Sequence, residues 1–177
     1  MTPPNAIAPQ TDHAAAVRAV LTRHAGEPGA LLPILHDVQH ALGHIPADQV
    51  PTIANALNLS RAEVHGVITY YHHFRSAPTA RHLVQVCRAE ACQAMGADAL
   101  MAHAELRLGC AAAGRSGDAS RSSTSRDGAF TLEPVFCLGL CAASPALMLD
   151  GEPHARMTPG AFDHLISNVA ASSASTA

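Results

Sequence analysis

Tryptophan is absent from this chain, and aromatic residues of any kind make up only 3% of it. Its core must therefore be aliphatic, drawn from the Ala, Leu and Val that fill a 48% hydrophobic composition. Basic residues are also scarce: 11 Lys+Arg against 14 Asp+Glu leave a formal charge of -3 and no cationic face for nucleic acid. No apolar run approaches the roughly 20 residues that span a bilayer. The opening MTPPNAIAPQTD lacks the basic and apolar regions of a signal peptide, and Pro3, Pro4 and Pro9 suit a disordered tail over residues 1–11. The expected location is cytoplasmic, where thiols stay reduced and a disulfide framework is not expected. No C-x-x-C occurs either, which argues against a thioredoxin-type dithiol enzyme.

Five cysteines are present, and in a cytosolic protein they point to metal binding or catalysis. Four fall in two short pairs, Cys87 with Cys92 and Cys137 with Cys141. Each pair follows an apolar, strand-like run: Leu83, Val84 and Val86 before the first, Leu132, Val135 and Phe136 before the second. Cysteines just past strand ends sit on loops, where their sulfurs can converge on a non-protein group. The spacing is C-x4-C, 44 intervening residues, then C-x3-C. Structural zinc sites more often use C-x2-C knuckles, whereas longer loops suit a dinuclear cluster with two thiolates on each iron. A [2Fe-2S] cluster, a zinc site and unrelated buried thiols all remain open on spacing alone. For a cluster, Gly139 in CLGLC can turn backbone amides toward sulfur, Arg88 is a candidate cation, and Leu138 and Leu140 could exclude water. Cys110, unpaired after Gly109, reads as structural.

The surrounding pattern gives two regions. Residues 12–76 read as a small helical domain. Its signals are an N-cap at Asp12, an apolar stripe of Leu31, Leu35, Val38 and Leu42 closed by Gly43, and a capping box at Ser60 and Glu63. Pro46 opens a third helix through Leu57, with Pro51 displacing its first turn. Residues 80–170 read as α/β: a strand to Cys87, a helix over 94–108 and a strand over 129–136. A hairpin turning at Asp150-Gly151 and a helix begun by Thr158-Pro159 complete it. Within this region 114–128 is expected to be a flexible loop and 171–177 a disordered tail. The economical arrangement is a thioredoxin-like domain, and a cis bond at Ser144-Pro145 is compatible with the sequence. His36, His40 and His44 invite a metal reading, but Leu35 and Val38 mark the buried side and make them an exposed stripe. His65, His72 and His73 read as partner-facing, so these polar faces suit docking onto another subunit.

CRAEAC, GAFTLEP and CLGLCAASP, together with LLPILHDVQHALGHIP and LSRAEVHGVITYYHHF, resemble the thioredoxin-like [2Fe-2S] subunit family. That family pairs with the NADH-binding flavoprotein of respiratory complex I, of NAD-reducing hydrogenases and of NAD-dependent formate dehydrogenases. The resemblance implies that Cys87, Cys92, Cys137 and Cys141 are the cluster ligands. It also implies an electron-transfer subunit with no catalytic site of its own. Within the family, LSRAEVHGVITYYHHFR and TLEPVFCLG look most like the gamma subunit of a soluble, molybdenum-containing, NAD-dependent formate dehydrogenase. The implied partners are then an FMN-carrying, NADH-binding subunit and a large subunit with the molybdenum cofactor and further iron–sulfur clusters. The equivalent subunit of complex I or of a hydrogenase is the alternative, and a zinc-stabilised interaction module is the non-redox one.

Overall fold

Asp12 begins the described structure by capping a helix: its carboxylate accepts the backbone N–H groups of Ala14 and Ala15 at 3.1 and 3.2 Å. The computed structural model describes residues 12–110 and 122–174. The tail expected over 1–11 lies outside them. Helices α1 (His13–Arg23), α2 (Leu31–Leu42), α3 (Val50–Ala56) and α4 (Arg61–Tyr70) form one compact unit that ends at Thr79. Gly43 closes α2 at φ 77°, a conformation glycine adopts without steric penalty. The Ser60–Glu63 capping box opens α4, with bonds of 3.1 and 2.7 Å. The expected third helix is split. A 3-10 turn at Ala47–Gln49 precedes α3, because Pro51 has no N–H for an α-helical bond to that turn. Val17, Val20, Ile34, Leu35, Val38, Ile53 and Val64 fill the interior. Gln39 is 6% exposed and spends its whole amide on the last turn of the unit. Its Nε2 donates to the His73 carbonyl at 2.8 Å and its Oε1 accepts the Arg75 N–H at 2.7 Å.

The second unit starts at Ala80. Its elements are β1 (His82–Cys87), α5 (Glu90–Ala94), α6 (Ala97–Leu108), β2 (Ser123–Thr124), β3 (Phe130–Val135), β4 (Leu147–Leu149), β5 (Glu152–His154) and α7 (Pro159–Ala174). The sheet order is β2-β3-β1-β4-β5, with β1 and β3 parallel and the other neighbours antiparallel. Asp150 and Gly151 both take positive φ, as a tight two-residue hairpin turn requires. Val84, Val86, Leu132, Leu147 and Leu149 pack against Leu100, Met101 and Ala104 of α6 and Phe162 and Ile166 of α7. The alternate residues of β1 and β3 bring a buried polar pair face to face. Gln85 donates to Glu133 at 2.6 Å, in register across the ladder.

Three expectations change here. The helix expected over 94–108 begins at Ala97, because Gly96 at φ 93° interrupts it and leaves α5 as a separate turn carrying Cys92. The stretch expected as a flexible loop contains β2, whose Thr124 hydroxyl meets that of Thr131 on β3 at 3.2 Å. Its residues 114–121 lie outside the described ones. The tail expected from 171 is helical to Ala174, since alanine-rich sequence extends α7 at little cost. No described helix is long and apolar enough to cross a membrane.

Candidate metal centre

Parallel pairing fixes where the cysteines go. Cys87 ends β1 in register with Val135, the last residue of β3, so both following loops emerge at one edge of the sheet. The first loop leads into α5, which returns Cys92 to the same small buried cluster as Cys87. The second carries Cys137 and, on a 3-10 turn at Cys141–Ala143, Cys141. Cys87 and Cys92 share one small buried cluster, and Leu138 and Leu140, on the loop that carries Cys137 and Cys141, pack against it. Cys110 is not in that cluster. It is buried in the aliphatic core, and its thiol donates to the Ser123 carbonyl at 3.6 Å.

The pairs differ in surroundings. Cys87 and Cys92 are each 2% exposed, packed with Ala97 and Ala146, whereas Cys137 and Cys141 are exposed. Burial pushes the Cys87 thiol above its ordinary value, more than the backbone N–H groups of Ala89 and Leu138 offset. Burial acts the same way on Cys92, but there the Ser144 hydroxyl, Cys87 and the Ala146 N–H together outweigh it and hold the thiol below its ordinary value. Cys141 is raised chiefly by the neighbouring charge of Cys137.

Several features suit a negatively charged cluster. Gly139, at φ 75°, points its N–H at the Cys137 sulfur at 3.3 Å. Cys137 itself sits at φ 138°, backbone strain that a non-glycine residue holds only where its surroundings enforce it. Leu138 and Leu140 are half-buried against the cysteine group. A backbone N–H thus reaches the Cys137 sulfur, and the sequence offers four soft thiols in two pairs, a donor set whose chemistry suits a dinuclear iron centre. Among the described residues, no group of three or more His, Cys, Asp or Glu side chains is placed to hold a metal ion.

Arg88 lies beside the site but is already engaged. Its Nε and a terminal nitrogen both donate to one oxygen of Asp98, at 3.1 and 2.9 Å. It is one half of an ion pair, and its charge is largely spent there. His36 and His40 are exposed on α2, and His36 stacks on His73 and Phe74; His65 and His72 are exposed as well. The sequence reading missed Asp98 and Ser144. The signal for Ser144 was its place three residues after Cys141, the offset at which a serine hydroxyl reaches back to a carbonyl.

A thioredoxin-like sheet carrying four thiols on its strand-end loops defines a ferredoxin-type, electron-carrying class of domain. The thioredoxin-like [2Fe-2S] ferredoxin family matches over residues 17–170, and the chain belongs to that family. An E-type subunit of the NADH-quinone oxidoreductase of Rhizobium meliloti (strain 1021) is 30% identical over 150 residues, covering 85% of this chain and 84% of the relative. Its counterpart in the NADH-quinone oxidoreductase of Pseudomonas aeruginosa is 31% identical over 137 residues, 77% of each chain. The HndA subunit of the NADP-reducing hydrogenase of Solidesulfovibrio fructosivorans is 28% identical over 161 residues, covering 89% and 86%. Among solved structures, the NAD+-reducing [NiFe]-hydrogenase in its air-oxidized state superposes with a TM-score of 0.63 at 23% identity. That match takes in 81% of this chain and 23% of the other, a likeness of fold. These relatives belong to quinone-reducing and hydrogenase complexes; the narrower likeness to a formate dehydrogenase gamma subunit rests on sequence wording alone.

Proposed function

We propose that this chain is the [2Fe-2S] electron-transfer subunit of an NAD(P)-linked oxidoreductase complex of the NADH-quinone oxidoreductase or hydrogenase type. Its ligands are Cys87, Cys92, Cys137 and Cys141. The observation that supports this is the exit of both cysteine-bearing loops at one edge of the parallel β1–β3 ladder, with Leu138 and Leu140 packed against buried Cys87 and Cys92. When bound, the cluster supplies one-electron redox chemistry. The chain's own residues do the rest. The rigid β1–α5 turn holds the first two sulfurs in a dry pocket, where burial makes any charge expensive. Backbone N–H groups of Ala89, Leu138, Gly139 and Ala146 place positive dipole ends against the sulfurs and offset that cost. Leu138 and Leu140 cover one side. Cys137, Cys141 and the 57% exposed Phe136 leave the other side open to a partner, in this reading the FMN-bearing, NADH-binding subunit.

The test is the visible and EPR spectrum of the full chain, purified without oxygen, before and after dithionite. A brown protein with a reduction-induced signal of one spin per chain is expected. A colourless, EPR-silent protein with stoichiometric zinc would overturn the reading in favour of a zinc-stabilised module. A second reading, the gamma subunit of a molybdenum-containing formate dehydrogenase, is favoured by LSRAEVHGVITYYHHFR and TLEPVFCLG. Affinity purification from the native host separates the two. A large subunit with molybdenum cofactor and formate-dependent NAD+ reduction supports the second, and quinone- or hydrogen-linked partners support the first.

A further inference from the structure

The Ser144 side chain links the Cys92 sulfur to the backbone of Cys141. Its hydroxyl donates to the Cys141 carbonyl at 2.7 Å, and its oxygen accepts the Cys92 S–H at 3.6 Å. The residue is half-buried, beside Ala146 in the same wall. The second of these bonds belongs to the thiol form. A metal-bound cysteine is a thiolate, with no proton to give and lone pairs to fill. Once Cys92 loses its proton, the serine oxygen loses a donor and the sulfur becomes an acceptor at an unchanged position. The Ser144 hydroxyl, 3.6 Å away, is a side-chain donor within reach of it.

We infer that Ser144 is a positioning residue that sets the reduction potential of the cluster by turning its hydroxyl onto the Cys92 sulfur. This rests on the assignment of Cys92 as a ligand made above. A hydrogen bond to a charged acceptor strengthens as negative charge accumulates, so a donor at a ligand sulfur stabilises the reduced cluster more than the oxidised one. The Cys141 carbonyl retains solvent as an alternative partner, since Cys141 is exposed. Backbone amides supply the other sulfur contacts described above, and substitution cannot remove those. Ser144 is the contact that a change of side chain can switch off.

The experiment is an EPR-monitored redox titration of the full, cluster-loaded chain as wild type, Ser144→Ala, Ser144→Thr and Ser144→Val. In Ser144→Ala the reduction equilibrium is expected to shift about tenfold toward the oxidised cluster, which is about 59 mV more negative for a one-electron couple. Thr and Val have nearly the same shape and differ in the hydroxyl. Ser144→Thr is expected to keep the wild-type midpoint and Ser144→Val to follow Ser144→Ala. Fully loaded Ser144→Ala with a wild-type midpoint would overturn the inference, as would equal shifts in Thr and Val. A wild-type chain that carries no EPR-active cluster would instead bring down the ligand assignment beneath it.

Discussion

The helical unit and the sheet unit are held together by different kinds of information. In the first, the helix-capping interactions are local: Asp12 caps residues two and three ahead, and Ser60 and Glu63 cap one another three apart, while the Gln39 clip is the long-range exception. In the second they are long-range. Gln85 meets Glu133, His82 meets Asp150, and Cys92 meets Ser144, each separated by 48 residues or more. Local contacts define helices that stand without any cofactor. Long-range contacts assemble the edge from which both cysteine-bearing loops leave. That division predicts that damage to one unit leaves the other's signature intact.

The largest break is expected at the thiols. Cys92→Ser should abolish the cluster's visible absorbance and EPR signal, while Cys110→Ser, whose sulfur lies in the aliphatic core, leaves both unchanged. Circular dichroism should show the helical content retained in each. A cluster with wild-type spectrum in Cys92→Ser would remove that residue from the ligand set.

A smaller break runs the other way. Gln39→Leu deletes both amide bonds to the partly buried 73–75 segment. At about 0.5–1.5 kcal/mol net for each bond, the helical unit should lose roughly 1–3 kcal/mol. Denaturant unfolding measures this, and the EPR signal of the loaded chain should not move. A stability within about 0.5 kcal/mol of wild type would show that the clip at Gln39 is dispensable.

The same division explains what could be read from the sequence. Helices α1, α2 and α4 were legible because their caps lie within a few residues of the ends they close. The cysteine pairs were legible because each follows an apolar strand. What escaped depended on distant partners. Two-residue β2 exists only through its pairing with Leu132 and Thr131 of β3, and nothing in a polar Ser/Arg stretch announces that. Arg88 looked like a free cation because Asp98 is ten residues away, on α6. The break at Gly96 escaped for another reason: a glycine inside a helical pattern is often tolerated, and here its φ of 93° ends α5.

The smallest expected effect sits within the helical unit and depends on pH. His24 Nδ1 lies 2.7 Å from Glu27 and its Nε2 3.0 Å from Asp37, a carboxylate that Arg23 also approaches at 3.2 Å. Hydrogen bonds to Glu27 and then Asp37 raise the imidazole above 6.5, and the bond to His24 lowers Asp37 below 3.8. A raised histidine contributes stability that is fully present below its unfolded value and is lost as pH rises through its folded value. A lowered carboxylate contributes stability that is present above its unfolded value and is lost as pH falls through its folded one. The two together favour the folded unit most between about pH 4 and 6.5, with a decline on the alkaline side as His24 gives up its proton. The comparison to make is the difference in melting temperature between wild type and His24→Gln across pH 5 to 9. That difference should shrink above neutrality, and added salt should reduce it because the partners lie near the surface. A difference that is flat across this range would mean that the imidazole acts here as a neutral hydrogen-bonding group.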